Sequence, residues 1–136
     1  MLVLQESLRN ELLAAARAAF PAEACGLLIG RREGASVTVA ALHPAANVSP
    51  APRERFAIDP AVQFSLQRTL RGSGLAVVGC YHSHPNGRAE PSRRDRESGD
   101  WGGSAEGFVW IIVATGIADA IEAFEGPAFQ PLILRA

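Results

Sequence analysis

Residues 75–85 read Leu-Ala-Val-Val-Gly-Cys-Tyr-His-Ser-His-Pro, and this stretch decides the fold and contains the first candidate site residues. The segment 75–81 is a nearly unbroken apolar run, which is typical of a central strand covered on both faces. Side chains alternate between the faces of a strand, so His82 and His84 are predicted to point the same way where this strand ends. A strand end of this kind can present two imidazoles to one metal ion.

The sequence on either side predicts further strands and helices. A helix over 6–20 follows from apolar residues at helical spacing and ends at Pro21. A second helix begins at Asp59-Pro60, because aspartate is a favoured N-cap and proline a favoured first residue, and it ends at Gly72. Additional strands are predicted over 24–30, 36–42, 108–114, 117–125 and 130–134, and a short helix after Ser92.

These elements predict an α/β fold of the α+β type. Its sheet would be mixed, mostly antiparallel and of about six strands, sandwiched by helices. The segment 43–55 is polar and proline-rich, so it is predicted to be a loop. We expect one domain over residues 1–136, because a chain of this length suits one compact unit.

The composition narrows the classes of function. The net charge is −1, so no overall basic field is present to attract nucleic acid or an anionic membrane. No apolar run approaches the length of a membrane span, and the first residues do not resemble a signal peptide. Cys25 and Cys80 lie in apolar runs, which predicts reduced thiols in the core rather than a disulfide. We therefore expect a cytoplasmic protein with no nucleic-acid or membrane partner.

A third candidate ligand follows the two histidines. Asp95 comes 11 positions after His84 (95 − 84), beyond a loop that could bring it back to the strand end. Two imidazoles and a carboxylate suit zinc, and three protein ligands leave a fourth position for water, as in catalytic sites. Ser92, three positions before Asp95, has two possible roles: it could act at the site or cap a helix, and the two are compatible.

An activated water needs a base, and Glu23 is the candidate. This carboxylate stands at the mouth of the first apolar strand, in Pro-Ala-Glu-Ala-Cys-Gly-Leu-Leu over residues 21–28. An acid entering a core strand is poorly placed for simple solvation, which favours a functional role. The alternative is an ordinary surface acid after the first helix.

The order of these residues resembles the JAMM motif of the MPN-positive metallopeptidases. The pattern is Glu23, then His82-Ser83-His84, then seven residues, Ser92, two residues and Asp95, and every motif position matches. The chain is most similar to the small, stand-alone bacterial members of that family. It departs from them at Cys80, where such members often carry tryptophan.

The resemblance implies a cytidine-deaminase-like JAMM fold and one zinc ion per chain. It assigns the metal to His82, His84 and Asp95, the general base and acid to Glu23, and an oxyanion-stabilising hydroxyl to Ser92. The implied substrate is a peptide or isopeptide bond at the C-terminus of a ubiquitin-like sulfur-carrier protein.

Other functions and several details stay open. The rivals are a non-catalytic scaffold of the same fold, which binds protein partners, and a zinc hydrolase acting on small amides. Segments 47–56, 86–91 and 100–107 are candidate walls of a substrate cleft, and Trp101 could line it. The sequence leaves the oligomeric state undetermined.

Overall fold

A computed structural model of the chain describes residues 1–93, 95, 107–116 and 119–136. The helices are α1 (Glu6–Ala19) and α2 (Pro60–Leu70). The strands are β1 (Leu2–Val3), β2 (Cys25–Glu33), β3 (Ser36–Ala45), β4 (Ala76–His84), β5 (Val109–Ala114), β6 (Ala120–Glu125), β7 (Gln130–Leu132) and β8 (Leu134–Arg135).

The strands form one mixed sheet in the order β7-β6-β5-β4-β2-β3-β1-β8. Strand β4 pairs antiparallel with β2 and parallel with β5, and both β1 pairings are parallel. The mixed α+β fold is therefore confirmed, but the expected count of about six strands is wrong, because the described sheet has eight. Strands β1 and β8 have two residues each, which is too short for a periodic pattern, and the predicted strand 130–134 divides into β7 and β8 at opposite edges of the sheet.

Three predicted strands are longer than expected, and one of them is β2, which continues to Glu33. Strand β4 continues through His84, so both histidines lie inside the strand rather than after it. Strand β3 continues to Ala45, which shortens the predicted loop 43–55, because its antiparallel pairing with β2 runs on until Ala45 faces Cys25. Asp59 caps α2 as predicted, since its carboxylate accepts a hydrogen bond from the Ala61 N–H at 3.0 Å.

The sheet has a different apolar cluster on each face. Successive residues of β4 illustrate the division, because Tyr81 packs in one cluster and Cys80 in the other. Buried residues of α1 pack with Tyr81, whereas Leu66 of α2 packs with Cys80 and Trp110. His82 and His84 are two and four residues beyond Cys80, so alternation places them on the α2 face.

Some predictions fall wholly or partly outside the described residues. The helix after Ser92 is described only at Arg93 and Asp95, both of which are helical. Trp101 and nearly all of the proposed wall 100–107 lie outside the described residues, as do the first two positions of the predicted strand 117–125. Among the described residues, no helix combines the length and apolar character needed to cross a membrane.

Gly79 allows the central strand β4 to approach its neighbour β5. A Cβ atom at this position would lie 2.0 Å from the backbone oxygen of Val109, and a backbone atom cannot move aside as a flexible side chain can. We expect Gly79→Ala to lower the free energy of unfolding by about 1–3 kcal/mol, the usual cost of overpacking.

Chemical denaturation monitored by circular dichroism would measure the change. The control is Ala76→Val, at an exposed position of the same strand, which should change stability by no more than about 0.5 kcal/mol. Equal stability of Gly79→Ala and the unsubstituted protein would show that the two strands are not held this closely.

Candidate metal centre

The two histidines lie side by side at the C-terminal end of β4, one of the central strands of the sheet. Both side chains are buried, and the Nε2 atoms of His82 and His84 lie 2.9 Å apart. The position of His82 is set by register, because it faces Cys25 on β2 and Ile112 on β5. The predicted shared face of the two imidazoles is what the structure displays.

Packing orients the His82 ring. Phe56 stacks on it, with ring centroids 4.4 Å apart and planes at 19°, and the Trp110 indole meets it edge-on at 5.8 Å. Within the part of the chain that the structure describes, His82 Nδ1 has no hydrogen-bond partner. Aromatic contacts therefore direct Nε2 of His82 toward the cluster.

A backbone hydrogen bond orients the His84 ring. Its Nδ1 lies 2.8 Å from the carbonyl oxygen of Arg88, which can only accept a hydrogen bond, so Nδ1 carries a proton and Nε2 is the nitrogen directed at the cluster. The turn that carries this carbonyl is held by Asn86, whose side-chain oxygen accepts from the Arg88 N–H at 3.0 Å. Gly87 between them has φ +80°, a conformation that glycine adopts without strain.

Asp95 faces both histidines. Its Oδ1 lies 3.0 Å from His82 Nε2 and its Oδ2 lies 3.1 Å from His84 Nε2. Burial would raise the pKa of this carboxyl group, but the hydrogen bonds from the two histidines and the Ser92 N–H together hold it well below its ordinary value. Asp95 is therefore a carboxylate in this site.

Ser92 forms the start of the helix that carries Asp95. Its hydroxyl oxygen accepts from the Asp95 N–H at 3.0 Å, and the Asp95 carboxylate accepts from the Ser92 N–H at 2.8 Å. This reciprocal pair is a capping box, so the predicted capping role of Ser92 is confirmed. Ser92 is exposed, and a hydroxyl that accepts one bond can still donate its proton elsewhere.

Glu23 reaches the same cluster from the segment before β2. It is only 6% exposed, and its carboxylate lies within 4.8 Å of the ring nitrogens of His82 and His84. Next to it, the Ala24 N–H donates to the Ser83 hydroxyl at 2.8 Å, and the Ser83 N–H donates to the Ala24 carbonyl at 3.0 Å. These two bonds join the chain beside Glu23 to the residue between the histidines.

The burial of the two imidazoles affects them differently. Complete burial lowers the pKa of His82, and this effect exceeds the opposing influence of Asp95. Burial also acts to lower the pKa of His84, but the hydrogen bond and charge of Asp95, the hydrogen bond to the Arg88 carbonyl and the charge of Glu23 together outweigh it, so that the pKa is raised. Asp95 is the principal group that favours protonation of both rings.

The donor set fits a zinc ion. With ligand atoms about 2.0–2.1 Å from a tetrahedral zinc, two such atoms lie about 3.3 Å apart. His82 Nε2 lies 2.9 Å from His84 Nε2 and 3.0 Å from Asp95 Oδ1, and His84 Nε2 lies 3.1 Å from Asp95 Oδ2, so each of these pairs is close to the edge of that tetrahedron. Two nitrogens and one oxygen are also the atom types that zinc accepts.

Neither cysteine is suited to nucleophilic chemistry. Both are buried and unbridged, as predicted. Burial, with a smaller effect from Glu23, raises the pKa of Cys25 to about 12, and burial raises the pKa of Cys80 as well. A thiolate is the reactive form, so these thiols pack as apolar groups.

Residues that support the site were not identified from the sequence. They are Phe56 against His82, the Arg88 carbonyl against His84, and Ser83 and Asn47 beside Glu23. Asn47 and Phe56 bound one segment proposed as a cleft wall and Arg88 lies within another, but none of them was assigned a role at the site from the sequence. Contacts made by backbone atoms leave no trace in residue identity.

Comparison with known proteins gives the family of this chain. Residues 5–125 match the model of the prokaryotic homologues of the JAB domain. A protein named desampylase from Haloferax volcanii is 35% identical over 112 residues, which cover 82% of this chain and 76% of that protein. A probable TtuB-protein conjugate cleaving protease from Thermus thermophilus is 34% identical over 114 residues, which cover 84% and 68%.

Solved structures agree with this family. The solution structure of a protein from Desulfitobacterium hafniense matches with a TM-score of 0.83 and 30% identity, covering 99% of this chain and 93% of that one. A JAB1/MPN domain protein from Archaeoglobus fulgidus matches with a TM-score of 0.63 and 22% identity, covering 98% and 94%, which shows a shared fold. The chain therefore belongs to the prokaryotic JAB-domain family and is a hydrolase of that family.

Proposed function

We propose that this chain is a zinc-dependent peptidase or isopeptidase that cleaves an amide bond at the C-terminus of a ubiquitin-like sulfur-carrier protein. One observation carries the proposal: His82 Nε2, His84 Nε2 and the Asp95 carboxylate converge within 3.1 Å, beside the Glu23 carboxylate. Three candidate ligands with a carboxylate next to them are the parts that hydrolysis by an activated water requires.

In this proposal each site residue has a defined part in hydrolysis. His82, His84 and Asp95 would hold one zinc ion, which when bound supplies Lewis acidity and lowers the pKa of a water in its open position to about 7. Glu23 accepts a proton from the attacking water and delivers it to the leaving nitrogen as the C–N bond breaks. The Ser92 hydroxyl donates a hydrogen bond to the carbonyl oxygen as negative charge develops there.

The assignment of Asp95 as third ligand and Glu23 as base is supported by their contacts. Asp95 directs one oxygen to each histidine, with each distance near 3 Å. Asp95 also forms a capping box with Ser92, and the hydrogen bond from the Ser92 N–H holds the Asp95 carboxylate in place. Glu23 faces the same histidines from a different segment, which suits a group that receives and returns a proton.

The substrate class is supported by the relatives. One is named for removing a protein modifier, and the other for cleaving TtuB-protein conjugates. The end of a modifier protein is an extended chain, which can lie along a loop or sheet edge next to the site. The segments 47–56 and 86–91 contact the site residues through Phe56 and Arg88, so they are proposed as walls.

The proposed ligand set predicts which substitutions remove zinc. We expect one zinc per chain in the purified protein, and loss of stoichiometric zinc in His84→Ala and Asp95→Asn. Glu23→Gln is the matched control and should retain one zinc, because it is proposed as base and not as ligand. Elemental analysis after dialysis would measure the content. If Asp95→Asn retains one zinc per chain, or if Glu23→Gln loses its zinc, then Glu23 is the third ligand and Asp95 is not.

The base assignment predicts the effect of Glu23→Gln on turnover. The amide keeps the shape of the side chain but cannot accept the proton, so kcat should fall by at least about 10²-fold. The assay would use zinc-loaded protein and a carrier protein ending in Gly-Gly joined to a lysine of a reporter protein. Wild-type kcat in Glu23→Gln would place the base elsewhere.

The same assay separates the substrate classes. A matched small amide, Nε-(acetyl-Gly-Gly)-lysine, presents the same isopeptide bond without the carrier protein. We expect kcat/KM for the protein adduct to exceed that for the small amide by at least about 10²-fold, because remote binding energy contributes to catalysis. Equal values would favour the rival hydrolase for small amides. Failure to cleave either substrate would favour the non-catalytic scaffold.

The role of Ser92 predicts two separable effects of Ser92→Ala. Loss of one donor to the developing oxyanion should lower kcat by about 10²–10³-fold while zinc is retained. Loss of the cap should lower the free energy of unfolding by about 1 kcal/mol. Ser92→Thr restores both hydroxyl functions and serves as the control. If Ser92→Ala is less stable but has unchanged kcat, Ser92 is a cap and nothing more.

A further inference from the structure

The backbone of Glu23 is held by a loop that one side chain organises. Glu23 precedes β2, so the sheet ladder does not hold it. Instead its N–H donates to the Pro52 carbonyl at 2.7 Å, and its carbonyl accepts from Asn47 Nδ2 at 3.1 Å. Both partners belong to the segment 47–57, which therefore contacts the backbone of Glu23.

Asn47 also ties that segment to itself. Its Nδ2 faces the Arg55 carbonyl at 3.1 Å and the Pro52 carbonyl at 3.4 Å. Its Oδ1 accepts from the backbone N–H groups of Ser49 and Ala57, both at 3.1 Å. The amide therefore joins both ends of the loop to the backbone of the candidate base.

These contacts require an amide at this position. The nitrogen end faces only carbonyl oxygens and the oxygen end faces only N–H groups, which assigns the orientation of the side chain. An aspartate could keep the bonds from Ser49 and Ala57 but would turn an oxygen toward the carbonyls of Glu23 and Arg55. Substituting Asp for Asn47 therefore removes the bonds to the carbonyls of Glu23, Pro52 and Arg55 while keeping the bonds from the N–H groups of Ser49 and Ala57.

Ser83 holds the same point from the opposite side. It forms two hydrogen bonds with Ala24, so the backbone is fixed immediately after Glu23 by the strand that carries the histidines. The Glu23 carboxylate lies within 4.8 Å of those histidines. A small shift of its backbone would change its distance to the reacting water, and a misplacement of about 1 Å can reduce a rate about 10²-fold.

We propose that Asn47 is a positioning residue, which holds the backbone of Glu23 so that its carboxylate faces the two histidines. The inference deepens the proposed function, because it rests on Glu23 as general base. Asn47 acts through Glu23 and has no contact with the candidate ligands among the interactions of the described residues.

The test compares Asn47→Asp and Asn47→Ala with Ile58→Val. Ile58 is buried in the cluster on the α2 face, directly after the segment 47–57 and outside the proposed wall, so this control tests the effect of lowered stability alone. With the carrier-protein adduct, both Asn47 variants should lower kcat about 10- to 100-fold, while KM changes by less than about twofold and one zinc per chain is retained. Ile58→Val should keep the wild-type kcat. Unchanged kcat in Asn47→Asp, or a change confined to KM, overturns the inference.

A double-mutant cycle then tests whether Asn47 acts through Glu23. In a Glu23→Gln background, adding Asn47→Asp should change kcat by less than about twofold, because the group being positioned is already inactive. An additional tenfold loss would mean that Asn47 acts on another part of the site. Wild-type kcat in Glu23→Gln would refute the base and this inference together. An inactive Glu23→Gln with a fully active Asn47→Asp would refute this inference alone.

Discussion

The antiparallel pairing of β2 with β4 is the constraint on which the site depends. Its register places Cys25 opposite His82, and the bonds between Ala24 and Ser83 extend the contact by one residue toward Glu23. A slip of one residue would turn the histidines to the α1 face, which is filled by apolar side chains. The hydrogen bonds that build the sheet centre therefore also set the distance between the candidate base and the candidate ligands.

The candidate site consists of buried polar residues at a position in the sheet where apolar side chains are usual. Glu23, His82, His84 and Asp95 are each no more than 6% exposed. Buried charge is costly unless it is paired, and Asp95 meets this condition through two imidazoles and the Ser92 N–H. The end of a central strand suits such a cluster, because backbone groups of the adjoining loops are available there as partners. The Arg88 carbonyl at His84 is one of these.

Those features that depend on local pattern could be predicted from the sequence. The apolar runs of β4 and β5, the Asp59-Pro60 helix start and the shared face of His82 and His84 all follow from periodicity or capping preference. The two-residue strands β1 and β8 could not, since they exist only because partners far along the chain pair with them. The role of Asn47 could not be predicted either, because its hydrogen bond to Glu23, 24 positions away, depends on the conformation of a proline-rich loop.

The two faces of the sheet differ in composition: one is apolar, and the other carries the candidate site. The α1 face holds a continuous apolar cluster that includes Leu8, Leu12 and Ile111 and contains none of the candidate site residues. The α2 face carries the site, and there the apolar residues Phe56 and Trp110 also orient the His82 ring. We expect a chain that buries a core of this kind to fold without a metal ion, unlike a zinc finger. The geometry of the candidate ligands can therefore meet the needs of hydrolysis rather than of folding. The free-energy cost of burying these polar groups is offset by the apolar cluster on the α1 face.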